Sequence, residues 1–216
     1  PDVGASWFFN RMPNHVGMYL GLTGSRLNAS DAIYSKLADF FVLNEFKQNL
    51  LTDLTQCTWS DDAYTDVHNL IQSHTELSFD DKPVSQVREN YDEIQYLFQH
   101  GGLEAIVHNL THIEPKTKWL SFGQKGFLKG CPMTYALVYE QIKRAKHMSL
   151  KQVFKMELIM STRCAMNGDL QEGVRALLID KDAKPDWRFK SIKEINKENL
   201  EEYFQAPWAG NHPLDN

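Results

Sequence analysis

The sequence predicts a mainly α-helical chain with at most one or two short strands. Three observations carry that expectation. Beyond Leu43, apolar residues recur three and four positions apart almost without interruption, the spacing of one helix face. Helix-start pairs stand in front of those stripes: Asn28 with Asp31, Ser149 with Gln152, Asp169 with Glu172. A single run, residues 38–43 (ADFFVL), is short, aromatic and β-branched enough to read as a strand. A sheet needs a further strand to pair with, so either the chain is all-helical or its sheet lies upstream.

The elements follow in order. Residues 14–22 read as a short helix with Val16, Tyr19 and Leu20 on one side and Gly21 and Gly24 near its end. Asn28 and Asp31 open a helix through Leu37, and the strand candidate follows. Val67, Leu70 and Ile71 mark one helix, and Val87, Tyr91, Ile94 and Phe98 mark another, stopped by Gly101 and Gly102. Residues 75–86, polar and containing Pro83, are the expected internal loop. Leu103, Ile106, Val107, Leu110 and Ile113 form the next stripe, ended by Pro115. A helix over 119–128 stops at Gly130. Pro132 suits a first helical position in front of Tyr135, Val138, Ile142 and Ala145. Ser149 and Gln152 make a capping box for a helix that closes at Gly168; Asp169 and Glu172 open one through Leu177. A tail from Lys184 carries a last short helix over 199–204.

Composition narrows the function classes. The chain has 216 residues, 42% hydrophobic and 24% charged, which is ordinary for a globular protein. Its apolar runs are far short of the ~20 residues that cross a bilayer. A net charge of −5 argues against a coat for nucleic acid but leaves room for a small phosphorylated ligand held by a few local cations. Cys57, Cys131 and Cys164 are far apart and odd in number, against a disulfide framework or a zinc ribbon. The chain opens on Pro1 rather than Met and runs at once into apolar residues, so we read it as a possible fragment.

Several residues invite chemistry, each beside a plainer reading. His108 and His112 have metal-compatible helical spacing but lack the glutamate of a zinc peptidase, and surface histidines are the plainer reading. Asn28 and Asn109 fit the glycosylation pattern, which chance also supplies. Lys143, Arg144 and Lys146 form one basic cluster; Lys181, Lys184, Arg188 and Lys190 form a second. Each is either a solvated face or a landing site for phosphate groups. Asp2, just before an apolar helix, is either an N-cap or a rigidly held functional carboxylate.

Residues 1–42 contain PDVG, an aromatic helix, LGLTGSRL and then LAD. Together they resemble the enoyl-CoA hydratase/isomerase (crotonase) superfamily. The segment CPMTYALVYEQI and the ending GDLQEGVRALLIDKDAKPDW resemble its 3-hydroxyisobutyryl-CoA hydrolase branch more closely, with Cys131 where that branch usually has serine. Residues 44–116 match only in order. The resemblance implies an α/β spiral fold of which this chain holds the C-terminal part. It implies an acyl-CoA thioester substrate whose carbonyl is held by two backbone N–H groups, flanked by a glutamate and an aspartate. The aspartate matches Asp2; the glutamate and the oxyanion donors would lie before Pro1. Lys181 matches the basic residue near the coenzyme A phosphates, and Leu177 and Leu178, with Ala176, match the adenine region.

The expected organisation is therefore the end of a crotonase-like core over 1–43, a helical region over 44–114 and a C-terminal helical region with its tail over 115–216. The expected parent is an acyl-CoA thioester hydrolase of valine breakdown, the isolated chain being inactive. A hydratase or isomerase, and a non-catalytic helical interaction module, remain the alternatives. Expected partners are the acyl-CoA, the missing N-terminal half and a possible second copy, with no nucleic acid and no membrane. No metal or redox cofactor is expected, coenzyme A being part of the substrate. The expected compartment is the cytoplasm for a bacterial parent and the mitochondrial matrix for a eukaryotic one.

Overall fold

A computed structural model describes residues 2–99 and 101–215. Pro1, on which the expectation of an upstream remainder rests, lies outside the described residues. The α-helices run α1 (Ala5–Phe9), α2 (Val16–Thr23), α3 (Ala29–Tyr34), α4 (Lys47–Gln56), α5 (Ala63–Leu77), α6 (Gln86–Glu89), α7 (Tyr91–Phe98), α8 (Leu103–His112), α9 (Lys118–Leu128), α10 (Pro132–Ala145), α11 (Leu150–Met166), α12 (Asp169–Val174) and α13 (Lys197–Glu202). A π-helical turn, Arg175–Ile179, continues α12. No helix among the described residues is long and apolar enough to cross a membrane. The chain divides into two compact units, Pro1–Ser25 with Asp92–Asn216, and Arg26–Tyr91.

The first unit is built around α10. Pro132 sits in its first turn, where the missing N–H costs no helical bond. Tyr135, Val138, Ile142 and Ala145, the stripe read from the sequence, are all buried. α11 begins at the Ser149–Gln152 capping box and lays Val153, Met156 and Met160 into the same core, where Leu137 and Tyr203 meet them. Glycines let α2 come close on two sides. A Cβ on Gly21 would stand 2.9 Å from Val138 Cγ1, and one on Gly17 would overlap the Phe9 backbone. Asn10 Nδ2 donates to the carbonyls of Ser6 and Ile142 at 2.9 and 2.8 Å, fastening the end of α1 to α10.

The second unit hangs on Asp31, which is fully buried. Its carboxylate closes the capping box with Asn28 and also accepts from Ser85 Oγ and Val87 N, both at 2.8 Å, so one side chain starts α3 and anchors α6. On the other side of this unit the buried His74 meets Asp53 at 2.8 Å between α5 and α4.

Two expectations are corrected. The fold class allowed one or two strands belonging to an α/β spiral, with residues 38–43 as the candidate. Among the described residues there is no strand. Residues 40–43 are half-buried without alternation, and Leu43 N donates to Ser78 Oγ instead of to a ladder. An apolar run without a neighbouring backbone to pair with stays irregular. The single helix expected across Val87, Tyr91, Ile94 and Phe98 is two, the break falling at Asn90, which leaves helical backbone at φ −108° and ψ 13° and whose main-chain and side-chain N–H groups both donate to the Gln86 carbonyl.

Gly17→Ala is expected to lower stability. Alanine favours a helix by about 1 kcal/mol over glycine, but the added carbon has only backbone to push against, and overpacking costs about 1–3 kcal/mol. A fall in Tm is expected, while Gly102→Ala, whose added carbon meets nothing closer than the Tyr139 hydroxyl at 3.9 Å, changes Tm less. Equal melting of the two variants would contradict the close approach.

Candidate active site

Two places in the first unit carry the site residues read from the sequence. The first is the turn in front of α1. Asp2 is exposed, and its carbonyl accepts from Ala5 N at 2.9 Å. Val3 and Gly4 follow with φ of 49° and 89°. Left-handed backbone is natural for glycine but strained for a β-branched residue, at a cost of about 1–3 kcal/mol. Val3 is also exposed, so no packing of its side chain explains the conformation.

What holds the turn is a side chain far along the chain. Glu157 of α11 is 2% exposed. Its Oε2 accepts from Gly4 N at 2.5 Å; its Oε1 accepts from Ser6 N at 2.9 Å, Ser6 Oγ at 2.5 Å and Gln141 Nε2 at 3.3 Å. Four donors converge on the carboxylate, three on Oε1 and one on Oε2, and it lies at the N-terminal end of α1, where unpaired N–H groups favour a negative charge. Gln141, buried in α10, also donates to Ser6 Oγ at 2.6 Å. The short α1 has no capping side chain of its own.

The second place is the segment 169–187. Arg175 organises it: its guanidinium pairs with Glu172 at 2.7 Å, Asp180 at 2.5 Å and Asp182 at 2.9 Å, and reaches the Lys184 carbonyl. Asp186 N also donates to Glu172, and Lys184 N to Asp182. The Arg175 hydrogen bond, aided by the Asp186 N–H, holds the Glu172 carboxyl down at about 2. The same guanidinium holds Asp182 below its ordinary value. Lys181 and Ala183 take left-handed φ of 56° and 52° inside this clasp.

Behind the segment is a largely apolar cavity of about 520 Å³, within the usual range for small-molecule sites. Cys131, Leu137, Cys164, Val174, Trp187 and Tyr203 line it. Burial pushes the Cys131 and Cys164 thiols up, so neither is poised as a nucleophile near neutrality.

The sequence-read residues are thus only partly brought together. Leu177 and Leu178, both more than half exposed, line the cavity beside the buried Ala176. Lys181 lies three residues on, outside the lining, with no hydrogen bond or ion pair to any described residue. Asp2 does not line the cavity. In the first basic cluster, Arg144 is spent on Glu140 and Glu201 and stacks on Phe204. His108 and His112 stack at 4.3 Å between ring centres, His112 Nδ1 lies 2.8 Å from the His108 carbonyl, and no cluster of metal-ligating side chains occurs among the described residues. Sequence reasoning missed Glu157, Gln141 and Arg175. A glutamate on the buried stripe of α11, in line with Val153 and Met160, was the available signal for the first. An arginine three residues after Glu172 and shortly before two aspartates was the signal for the last.

Comparison with known proteins adds the following. Residues 1–204 match a family model described as enoyl-CoA hydratase/isomerase. The chain is 34% identical over 211 residues to a protein of Xenopus laevis named 3-hydroxyisobutyryl-CoA hydrolase, mitochondrial, covering 95% of this chain and 53% of that protein. A Danio rerio protein of the same name is 33% identical over 210 residues, with the same coverage of 95% and 53%. The chain therefore spans about half the length of the curated relatives it matches. Among solved structures, an enoyl-CoA hydratase from Rhodobacter sphaeroides superposes with a TM-score of 0.75 at 26% identity, over 96% of this chain and 56% of that one. A carnitinyl-CoA dehydratase from Mycobacterium thermoresistibile, at 23% identity and a TM-score of 0.77, covers 99% of this chain and 56% of its own, and shares the fold.

The Arg175 clasp has a defined pH dependence. Because the Glu172 carboxyl is depressed from 4.5 to about 2, its contribution is complete above 4.5 and is lost as pH falls through about 2. The amide NMR signal of Asp186, whose N–H is bound to Glu172, is expected to hold steady from neutrality to pH 4.5 and to move with a midpoint at about 2. Arg175→Gln is expected to raise that midpoint toward the ordinary carboxylate range. A midpoint at or above 4.5 for that signal in the unaltered protein would contradict the clasp.

Proposed function

Since the chain belongs to the enoyl-CoA hydratase/isomerase family, we propose that it supplies part of an acyl-CoA thioester hydrolase, the whole enzyme cleaving 3-hydroxyisobutyryl-CoA. The observation that carries this reading is the clamped, strained turn that displays Asp2 at the position the family resemblance gives to a catalytic aspartate. Likeness to relatives named for that hydrolase supports the choice of substrate.

In the proposed reaction water adds at the thioester carbonyl carbon, the C–S bond breaks, the departing sulfur takes a proton, and the products are the free hydroxy acid and coenzyme A. One carboxylate either attacks the thioester carbonyl, the acyl group then passing to water, or activates the water that attacks it, while another handles protons or the substrate hydroxyl. Asp2 takes the second role. The first carboxylate and the oxyanion donors belong, on this reading, to an upstream part of the same protein.

Lys181 takes the phosphates of coenzyme A. Its two neighbouring acids, Asp180 and Asp182, pair with Arg175 rather than with Lys181, so its ammonium is not held by either of them. Leu177 and Leu178 form the apolar rim for the adenine. The chemistry transfers no electrons and calls for no metal or redox cofactor. A step in valine breakdown, in the mitochondrion of a eukaryote or the cytoplasm of a bacterium, follows from the proposed substrate.

Enoyl-CoA hydration is the second reading, favoured by the hydratase whose structure superposes on this chain. Product identity decides between them. The protein extended by its upstream part is expected to release free thiol from 3-hydroxyisobutyryl-CoA, and the 216-residue chain alone to release none. Turnover by the chain alone, or enoyl-CoA hydration without thiol release by the extended protein, would contradict the proposal. Asp2→Asn is expected to lower kcat by about 10²–10⁴-fold, the usual reach of proton-handling groups, with Tm little changed. Lys181→Ala is expected to raise KM for the coenzyme A ester by about 1.5–5-fold, in line with about 0.2–1 kcal/mol for an exposed charge contact. It should leave a thioester lacking the nucleotide phosphates unaffected; an equal effect on both would remove Lys181 from the phosphate role.

A further inference from the structure

We propose that Glu157 is the positioning residue for Asp2, so that a buried carboxylate on α11 sets the geometry in which the exposed one acts. The inference rests on the reading of Asp2 given above. The face of α11 that carries Glu157 is otherwise apolar, with Val153, Met156 and Met160 buried beside it. An apolar side chain there would serve cohesion as well, since buried charges contribute little stability over well-packed hydrophobic replacements. What a carboxylate adds is direction. It takes Gly4 N on one oxygen and Ser6 N on the other, and so fixes the two peptide planes that begin α1.

Those peptides lie within four residues of Asp2. The Asp2 carbonyl is itself tied to Ala5 N, between the two clamped amides. The chain can enter this clamp only by turning through left-handed backbone at Val3 and Gly4, and a strained conformation persists only where its surroundings over-determine it. Gln141 and Ser6 complete the determination. Ser6 Oγ donates to Glu157 Oε1 and Gln141 Nε2 reaches both, so the carboxylate cannot rotate without breaking contacts to α1 and α10 together. Glu157 touches no substrate on this account. It acts through the backbone that aims Asp2, and a misplacement of about 1 Å at a reacting group costs about 10²-fold in rate.

The test is a double-mutant cycle in the extended protein, read as thiol release. Glu157→Gln keeps the size but turns one acceptor into a donor facing an N–H. It is expected to lower kcat by about 10–100-fold with KM within about threefold. In the Asp2→Asn background the same change is expected to alter kcat by less than about twofold, because the group being aimed is gone. A folded Glu157→Gln protein with kcat within threefold of the original overturns the inference. So does an equal loss in both backgrounds, which marks a purely structural cap. If Asp2→Asn alone keeps full kcat, the reading of Asp2 fails, a result distinct from either. Should Glu157→Gln not fold, Ser6→Ala, which removes one donor and leaves both backbone clamps, takes its place, with an expected loss of about 3–10-fold and the same non-additivity.

Discussion

A carboxylate buried among helices must find hydrogen-bond donors for both its oxygens, and the first unit of this protein is arranged around one that does. Glu157 draws its donors from the start of α1 and from α10 while itself standing on α11. Three helices that meet through apolar contacts could slide by fractions of an ångström at little cost. Three helices that share the oxygens of one carboxylate cannot, because each lost hydrogen bond leaves a buried polar group unpaired, at about 1–3 kcal/mol apiece. Asn10 repeats the device at the other end of α1, where its amide spans the carbonyls of Ser6 and Ile142. A helix of five residues would not hold together alone; clasped at both ends it becomes a rigid mount for the turn that precedes it.

Arg175 solves a similar problem at the surface with opposite economics. Its ion pairs with Glu172, Asp180 and Asp182 are reachable by water and salt, so each is individually weak. Their effect lies in number and geometry: one planar guanidinium closes a loop of left-handed residues and engages the acids on either side of Lys181. The same arrangement stands the side chains of Leu177 and Leu178 at the mouth of an apolar cavity whose wall is the Cys131–Trp187 side of the core. Rigid mount and shaped loop are both supplied by residues that need touch no ligand.

Much of the helical plan was legible in the residues. The Ser149–Gln152 and Asn28–Asp31 boxes cap helices as their spacing implies, and Pro132 opens α10. Those signals are local, made by side chains on the backbone a few residues away. The strand expected at residues 38–43 failed for a non-local reason, since composition marks a segment able to join a sheet but says nothing of whether a neighbour is there. One expected helix is two because the backbone departs from helical angles at Asn90, a local turn that a continuous apolar stripe does not reveal. Within the candidate site, Asp2 and the basic cluster holding Lys181 stood out as charges, the roles of Asp2, Lys181, Leu177 and Leu178 came from a family resemblance, and what locks their surroundings came from neither. Glu157 acts on residues more than a hundred and fifty positions away, a relation that periodicity cannot express. Arg175 was visible as a partner for Glu172 but not as a hub, because Asp182 and the Lys184 carbonyl come to it through the left-handed turns at Lys181 and Ala183.

The clamp on the Asp2 turn is best tested by hydrogen exchange at two amides. If Glu157 holds them as described, Gly4 and Ser6 N–H exchange as slowly as the core of α10, protected up to global opening although they belong to a short helix near the start of the chain. Exchange of both at the rate of an exposed, fraying terminus would contradict the account.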